Sequence, residues 1–371
     1  MGARRHFVIW LLVPILAALA LSPAAAWDMS AAIQAKRTAI LQTLNQLPAQ
    51  KKTLAGVQVN EYEVYIDCTS ADRLFEHTGK RPALMGLELM NAIAYPPYPS
   101  YLLDRALTQT ARGGLVTMSW HERNPVEVCP RGEYFECSKK PMDAQTLHAV
   151  LTDGTPEHKL WLKDVDAIAK VLRRFRENGI VVLFRPYHEM NGGWFWWGKK
   201  AELPQLWDAL YDELAIRNKL DNLIWVWSVD REARDAKSYF PVRHKPDIVG
   251  TDMYEPDQNT PKYAAARANL TALSSAPFAI TEVGLVPSAK VLDAINPAWV
   301  LLWGDMLNVN WTWNGDCPTC NKPEQVAALF KLPRMLTLDE LPVGLRHTLA
   351  DGVANPHSLH KPNPLCPAKL R

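Results

Sequence analysis

Neither sign of charge prevails in this chain. Its 41 Lys+Arg face 39 Asp+Glu, with no basic run and no acidic tail, so nucleic acid and anionic membrane surfaces are not its expected partners. Beyond the N-terminal segment no apolar stretch approaches the roughly 20 residues of a membrane span. No segment repeats. The dinucleotide fingerprint G-x-G-x-x-G is missing after the first strand-like run, which weighs against an open doubly wound sheet. A zinc-protease signature also fails: "HEMNG" puts Gly192 where H-E-x-x-H needs its second histidine, so two imidazoles cannot share a helical face. Cysteine is scarce, with six in 371 residues.

What is present begins with a leader. Arg4 and Arg5 precede an apolar run from Phe7 to Leu21, and "SPAAAW" offers small residues for cleavage after Ala26; this is the layout of a secretory signal peptide over residues 1–26. It implies a secreted or periplasmic protein with no membrane span after cleavage. An even cysteine count in an exported chain suggests disulfides. Cys129–Cys137 and Cys317–Cys320 are the locally closed pairs, leaving Cys68–Cys366 by elimination among about 15 connectivities. "CPTC" also fits a redox C-x-x-C, but it sits in a late loop and not at the opening of a βαβ helix. "NLT" at Asn269 and "NWT" at Asn310 are glycosylation sequons.

Residues 27–371 read as one catalytic domain. Eight short apolar runs, each bounded by Gly, Pro, Asn or Asp, read as strands buried on both faces: "TLAGVQV", "PALMGLEL", "GLVTMSWH", "GIVVLFRPYHE", "NLIWVWSVD", "DIVGTDMYE", "PFAITEVG" and "AWVLLWGDM". Amphipathic segments lie between several of them. In "LWLKDVDAIAKVLRRFRENG" apolar residues recur at helical spacing, and Gly179 supplies the stop. Eight strands alternating with helices suggest an α/β fold of the (β/α)8 TIM-barrel type. The insertion from Asn124 to Pro156 reads as a long loop after the third strand, and a proline-rich tail begins at Asn355.

Two runs end in a carboxylate. Strand four closes on "RPYHE" and strand seven on "ITE", which in a barrel places Glu189 and Glu282 at the C-terminal rim. Paired carboxylates about 5–5.5 Å apart serve retaining glycosidases as nucleophile and acid/base. Four large rings follow Glu189 in "NGGWFWWG". Flat indoles bury the C–H faces of sugars and leave the hydroxyls free. A lone glutamate at a strand end is usually a solvated residue, and a tryptophan is usually core. The conjunction of Glu189 with His188, Asn191 and these rings in one loop points to function instead.

"FRPYHEMNGGWFWWG" resembles the acid/base segment of glycoside hydrolase family 26, best known for endo-β-1,4-mannanases, and "ITEVG" resembles its nucleophile segment. "GGLVTMSWHERNP", "DMYEPD" and "LTLDELP" are similar to its third-strand, sixth-strand and closing segments, so the likeness runs from about Leu54 to Leu341. The resemblance implies a (β/α)8 fold, double displacement with retention, Glu189 as acid/base and Glu282 as nucleophile. It matches Tyr254 to the tyrosine that holds the nucleophile. His121 and His188 match histidines of the reacting subsite, and Trp194 and Trp303 match substrate-facing tryptophans. Arg185 adds positive charge nearby. Trp196 and Trp197 divide between sugar platform and packing, Trp225 and Trp227 read as core, and Asp252 either binds a hydroxyl or closes a loop.

One departure is Gly304, which stands where some family mannanases carry an arginine that binds sugar one subsite from the cleavage point. The family also contains β-1,3-xylanases and mixed-linkage β-glucanases. Two readings outside it are a non-catalytic carbohydrate-binding barrel and a thiol–disulfide protein using Cys317 and Cys320. The glycosidase reading needs no cofactor and no metal, and takes the chain to act as a monomer on a β-linked polysaccharide or oligosaccharide.

Overall fold

The structure, a computed structural model, describes residues 23–59, 70–255, 260–307 and 319–342. Eight parallel strands form the barrel: β1 (Thr53–Gln58), β2 (Leu84–Glu88), β3 (Leu115–Trp120), β4 (Val182–Pro186), β5 (Leu223–Asp230), β6 (Ile248–Met253), β7 (Phe278–Val283) and β8 (Trp299–Leu302). Each pairs with the next, and β1 pairs with both β2 and β8, so the cylinder is closed. A two-residue β9 (Met335–Leu336) adds to the start of β1. All eight expected strands are present. Every residue in them is buried, as expected of strands covered on both faces.

Among the described residues ten α-helices run in order: α1 (Pro23–Gln46), α2 (Ser70–Thr78), α3 (Tyr98–Ala111), α4 (Tyr134–Ser138), α5 (Ala144–Val150), α6 (Pro156–Glu177), α7 (Leu203–Tyr211), α8 (Thr260–Thr271), α9 (Ala289–Ile295) and α10 (Pro323–Phe330). The clearest amphipathic segment is α6. Thr155 caps it, with its hydroxyl accepting from the His158 amide, and Gly179 follows it at φ +66°. The expected cleavage point after Ala26 falls in the first turn of α1. No described helix is long and apolar enough to cross a membrane.

One correction concerns the segment after β3. The stretch from Asn124 to Pro156 is not a bare loop, because α4 and α5 fold within it. Asp143 caps α5 through the Thr146 amide, a local signal masked by the proline and cysteine content. The Cys129–Cys137 disulfide is formed as expected, with Cα atoms 5.9 Å apart. Cys320 is disulfide-bonded to a cysteine outside the described residues. The pairs Cys317–Cys320 and Cys68–Cys366, the Asn310 sequon and the tail from Asn355 involve residues outside the described ones.

The core has two layers. Leu54, Leu84, Leu115, Leu183, Ile224, Val226, Ile248, Ala279 and Leu301 form one cluster together with Ile33, Ile40 and Leu44 of α1. The alternate strand residues, such as Val57, Val116, Phe184, Trp225, Trp227 and Ile280, pack in the cluster that includes the helices. Trp225 and Trp227 are therefore core, as expected. Continuing the first set along β4 and β6 gives Arg185 and Asp252, so the line of side chains that is apolar below turns polar at the C-terminal rim.

Candidate active site

Two local distortions bring the acidic side chains together. Between β6 and β7 the register runs Thr251↔Ile280 and then Asp252↔Glu282, leaving Thr281 as an extra residue. Strict alternation after Ala279 would turn Glu282 away from Asp252 toward the helices. The bulge lets Thr281 and Glu282 both reach the mouth. Thr281 Oγ1 donates to Asp252 Oδ1 at 2.6 Å, while Glu282 meets Arg185. After β4 the backbone turns left-handed at Tyr187 (φ +48°) and again at Glu189 (φ +53°). Such conformations are costly for side-chain-bearing residues and cluster at functional sites. The Glu189 amide donates to the Ser228 carbonyl at 3.0 Å and holds this turn against β5.

Arg185 joins the acids. Its guanidinium forms ion pairs with Glu282 and, at 2.8 Å, with Asp252, and all three side chains are almost wholly buried. Tyr254 donates from its hydroxyl to the other oxygen of Glu282 at 2.7 Å. Both Glu282 oxygens thus accept hydrogen bonds, one from a cation. Burial pushes Asp252 up to about 8 despite the pull of Arg185. Arg185 itself remains a cation, because Asp252 and Glu282 outweigh its burial. Burial and the charges of Glu282 and Glu189 raise Tyr254 well above the usual phenol range, so it stays a donor.

Glu189 has the opposite surroundings. It is buried, and its Oε2 accepts a 2.7 Å hydrogen bond from the Trp194 indole. Burial first, then the charges of Asp252, Glu282 and Asp230, push Glu189 well above the ordinary carboxyl range. The site therefore holds one carboxyl whose pKa is raised beside another held by a guanidinium and a phenol. This is the division that acid and nucleophile require.

The histidines lie along the rim. His188 Nε2 meets His121 Nε2 at 3.0 Å, and His121 Nδ1 meets Glu88 Oε2 at 2.7 Å. Burial, Arg185 and His121 hold His188 well below the usual imidazole range, so it is neutral. His188, Asp252 and Glu282 each offer a ligand atom within 4.8 Å of the others. A metal would compete there with Arg185, which already neutralises Asp252 and Glu282, so this set is better read as a guanidinium site than as a cation site.

The ring cluster divides by exposure. Trp194 is 37% exposed and Trp303 half-buried. Gly192 makes the Trp194 position possible, since a Cβ there would fall 2.4 Å from the indole. Trp197 is packing. It has no exposed surface, stacks on Phe195 at 4.5 Å and donates to the His188 carbonyl. Trp196 is likewise packing, with its indole on the Glu122 carbonyl. Asn191 bonds to the Asp230 backbone, donating to its carbonyl at 2.9 Å and accepting from its amide at 2.7 Å. Asp252 and Arg185 are buried and paired with each other, and Arg185 also meets Glu282.

Three residues escaped the sequence reading. Phe135, from the disulfide-closed loop, is 40% exposed and sits edge-on to His121 at 5.4 Å. Phe195 completes the ring wall, 5.2 Å from His121 and 5.3 Å from His188. Glu88 ends β2 in "GLE", the same carboxylate-at-strand-end signal that picked out Glu189 and Glu282.

Residues 29–340 match the family model for Glycosyl hydrolase family 26. The chain is 32% identical over 304 residues to a mannan endo-1,4-beta-mannosidase of Thermothelomyces thermophilus, covering 78% of this chain and 58% of that protein. It is 33% identical over 223 residues to mannan endo-1,4-beta-mannosidase A and B of Caldalkalibacillus mannanilyticus, covering 56% of this chain and 42% of that one. The chain thus spans about half the length of these two relatives. A mannan endo-1,4-beta-mannosidase of Bacillus subtilis is 29% identical over 303 residues, covering 76% and 81%. Among solved structures, GH26A from Muricauda sp. superposes with a TM-score of 0.72 at 29% identity, covering 83% of this chain and 97% of that one. The Podospora anserina GH26-CBM35 beta-(1,4)-mannanase gives 0.67 at 29% identity, covering 82% and 67%.

Proposed function

We propose, on the premise that this chain belongs to glycosyl hydrolase family 26, that it cleaves β-1,4-mannosidic bonds in mannan or glucomannan by double displacement. One observation carries the reading: Glu189 is buried beside like charges that raise its pKa, while Glu282 is gripped by Arg185 and Tyr254. Glu282 attacks the anomeric carbon as the glycosidic C–O bond breaks, and the Glu189 proton passes to the leaving oxygen. The negative charge of Glu282 is lost in the glycosyl ester, so Glu189 now takes a proton from water. That water attacks the anomeric carbon and frees Glu282. Two inversions leave the anomeric configuration unchanged.

Trp194, Trp303 and Phe135 supply ring faces for the sugar, and His188 and His121 supply polar contacts. Residues 1–26 act as an export leader and residues 27–371 as a single catalytic domain outside the cytoplasm. The chain works as a monomer.

The test is a panel of mannan, glucomannan, lichenan and β-1,3-xylan, with products identified and anomeric configuration followed by NMR. Mannan cleavage with retention is expected. Cleavage of lichenan or β-1,3-xylan alone would move the substrate within the family. Inversion would remove the mechanism, and inactivity on all four would remove the enzyme reading in favour of a binding barrel.

A further inference from the structure

The ends of β2, β3 and β4 carry a hydrogen-bonded chain, Glu88–His121–His188, that stops beside the reacting acids. Glu88 is buried and uses every acceptor position it has. Its Oε1 accepts from the backbone amides of Met90 and His121, each at 2.9 Å. Its Oε2 accepts from Ser119 Oγ at 2.7 Å and meets His121 Nδ1 at 2.7 Å. His121 Nε2 then meets His188 Nε2 at 3.0 Å. The other nitrogen of His188, Nδ1, is buried and has no hydrogen-bond partner among the described residues. His188 also stands within 4.8 Å of Asp252 and Glu282 by its nearest ligand atom.

The hydrogens on this chain are not independent. A carboxylate oxygen only accepts, so His121 Nδ1 carries the hydrogen of that contact. A neutral His121 then has a lone pair on Nε2, and the 3.0 Å contact needs a hydrogen on His188 Nε2. His188, being neutral, is left with a bare lone pair on Nδ1. We propose that Glu88 is a positioning residue that sets the tautomer of His188 through His121, so that His188 offers an acceptor, and not a donor, to a hydroxyl of the bound sugar. This rests on the glycosidase reading for the sugar, while the tautomer itself is a property of the resting protein.

Glu88→Gln reverses the chain. Two backbone amides point at one end of the side chain, so the oxygen of the introduced carboxamide must face them. Its NH2 then faces His121 and Ser119. The Ser119 hydroxyl can turn its hydrogen to the Leu87 carbonyl, already 3.4 Å away, and accept from the new NH2. His121 must accept at Nδ1 and carry hydrogen on Nε2. His188 must accept at Nε2 and carry hydrogen on Nδ1, so that nitrogen offers the sugar hydroxyl a donor in place of an acceptor.

The experiment is 15N-histidine NMR on the full-length protein near pH 8, above the ordinary imidazole pKa of about 6.5, with His188 assigned from a His188→Gln sample. Expected are hydrogen on Nε2 and a bare Nδ1 at His188 in the native protein, and the reverse in Glu88→Gln. Hydrogen on Nδ1 of the native protein, or an unchanged His188 tautomer in the variant, would overturn the relay. The native spectrum decides this even if the variant does not fold. With folding confirmed by circular dichroism, kcat/KM on mannan should fall about 10–100-fold, the loss of one buried hydrogen bond to substrate. A reversed tautomer with unchanged kcat/KM would overturn the acceptor role. Inactivity of the native chain on every polysaccharide would fail the glycosidase reading and leave the tautomer result standing.

Discussion

The indole N–H of Trp194 donates to Glu189 Oε2 at 2.7 Å, so the ring that walls the sugar cleft also touches the proton-carrying carboxyl. This bond acts against the burial and like charges that hold Glu189 high. Trp194→Phe keeps a ring and removes the donor, so Glu189 should hold its proton to higher pH. Activity that needs protonated Glu189 is lost as pH rises through its pKa, so the alkaline limb of kcat/KM should move up. A limb that stays put or moves down would mean that Glu189 is not the group titrating there.

Glu189→Gln should lower kcat on polysaccharide by about 10²–10⁴-fold, the usual worth of general acid–base catalysis. An aryl glycoside, whose phenolate leaves without a proton, should lose far less in its first step. Equal losses on both substrates would assign Glu189 to binding.

Tyr254→Phe removes one of the two grips on Glu282 while leaving Arg185 in place. A hydrogen bond to a charged group is worth about 1.5–3 kcal/mol, so kcat/KM should fall about 10–100-fold with KM for short oligosaccharides little changed. An effect confined to KM would make Tyr254 a substrate contact only.

Gly304 is not an open socket. A Cβ there would fall 2.5 Å from the Gln58 carbonyl oxygen and 2.7 Å from Ser70 Oγ. Gly304→Arg, which would restore the residue found in some relatives of this family, should therefore destabilise by about 1–3 kcal/mol through overpacking and bring no gain on mannotriose. Calorimetry and oligosaccharide kinetics check both. An unchanged melting temperature with tighter mannotriose binding would show that this backbone adapts.

Glu122 sits wholly buried, with the Tyr187 hydroxyl only partly offsetting the burial of its carboxyl. Burial and then the Asp164 charge hold it well above the ordinary carboxyl range. A raised folded pKa contributes stability that is complete below the unfolded value of about 4.3 and is lost as pH rises through the folded value. Glu122→Gln should thus match the native protein in acid and become progressively the more stable of the two as pH rises. Thermal melts across pH would show parallel curves if Glu122 were ionised in the fold.

The strands were legible because each is an apolar run punctuated by turn residues, a pattern that burial on both faces imposes. The two rim acids stood out because a charge at the end of such a run has to be explained. Which ring faces sugar was not legible. Trp194 and Trp197 stand three residues apart in one aromatic run, and only tertiary packing exposes the first and hides the second. The Thr281 bulge has no sequence mark, since it depends on how β7 meets β6. Glu88 was legible by the rule applied to its partners, but without aromatic residues beside it the signal did not stand out.

β1 begins beside β9, joined through Thr53↔Met335 and Leu54↔Leu336, before it meets β2 at Gly56. Arg334 reinforces that corner, reaching Thr53, Asp293 and Asn296. The lower seam of the cylinder is thus stitched by segments nearly three hundred residues apart. A chain emerging from the ribosome can stack its early hairpin-free βα units, yet it cannot seal this corner until position 336 has been synthesised. Nascent chains halted short of that point should remain open to proteases at their first strand.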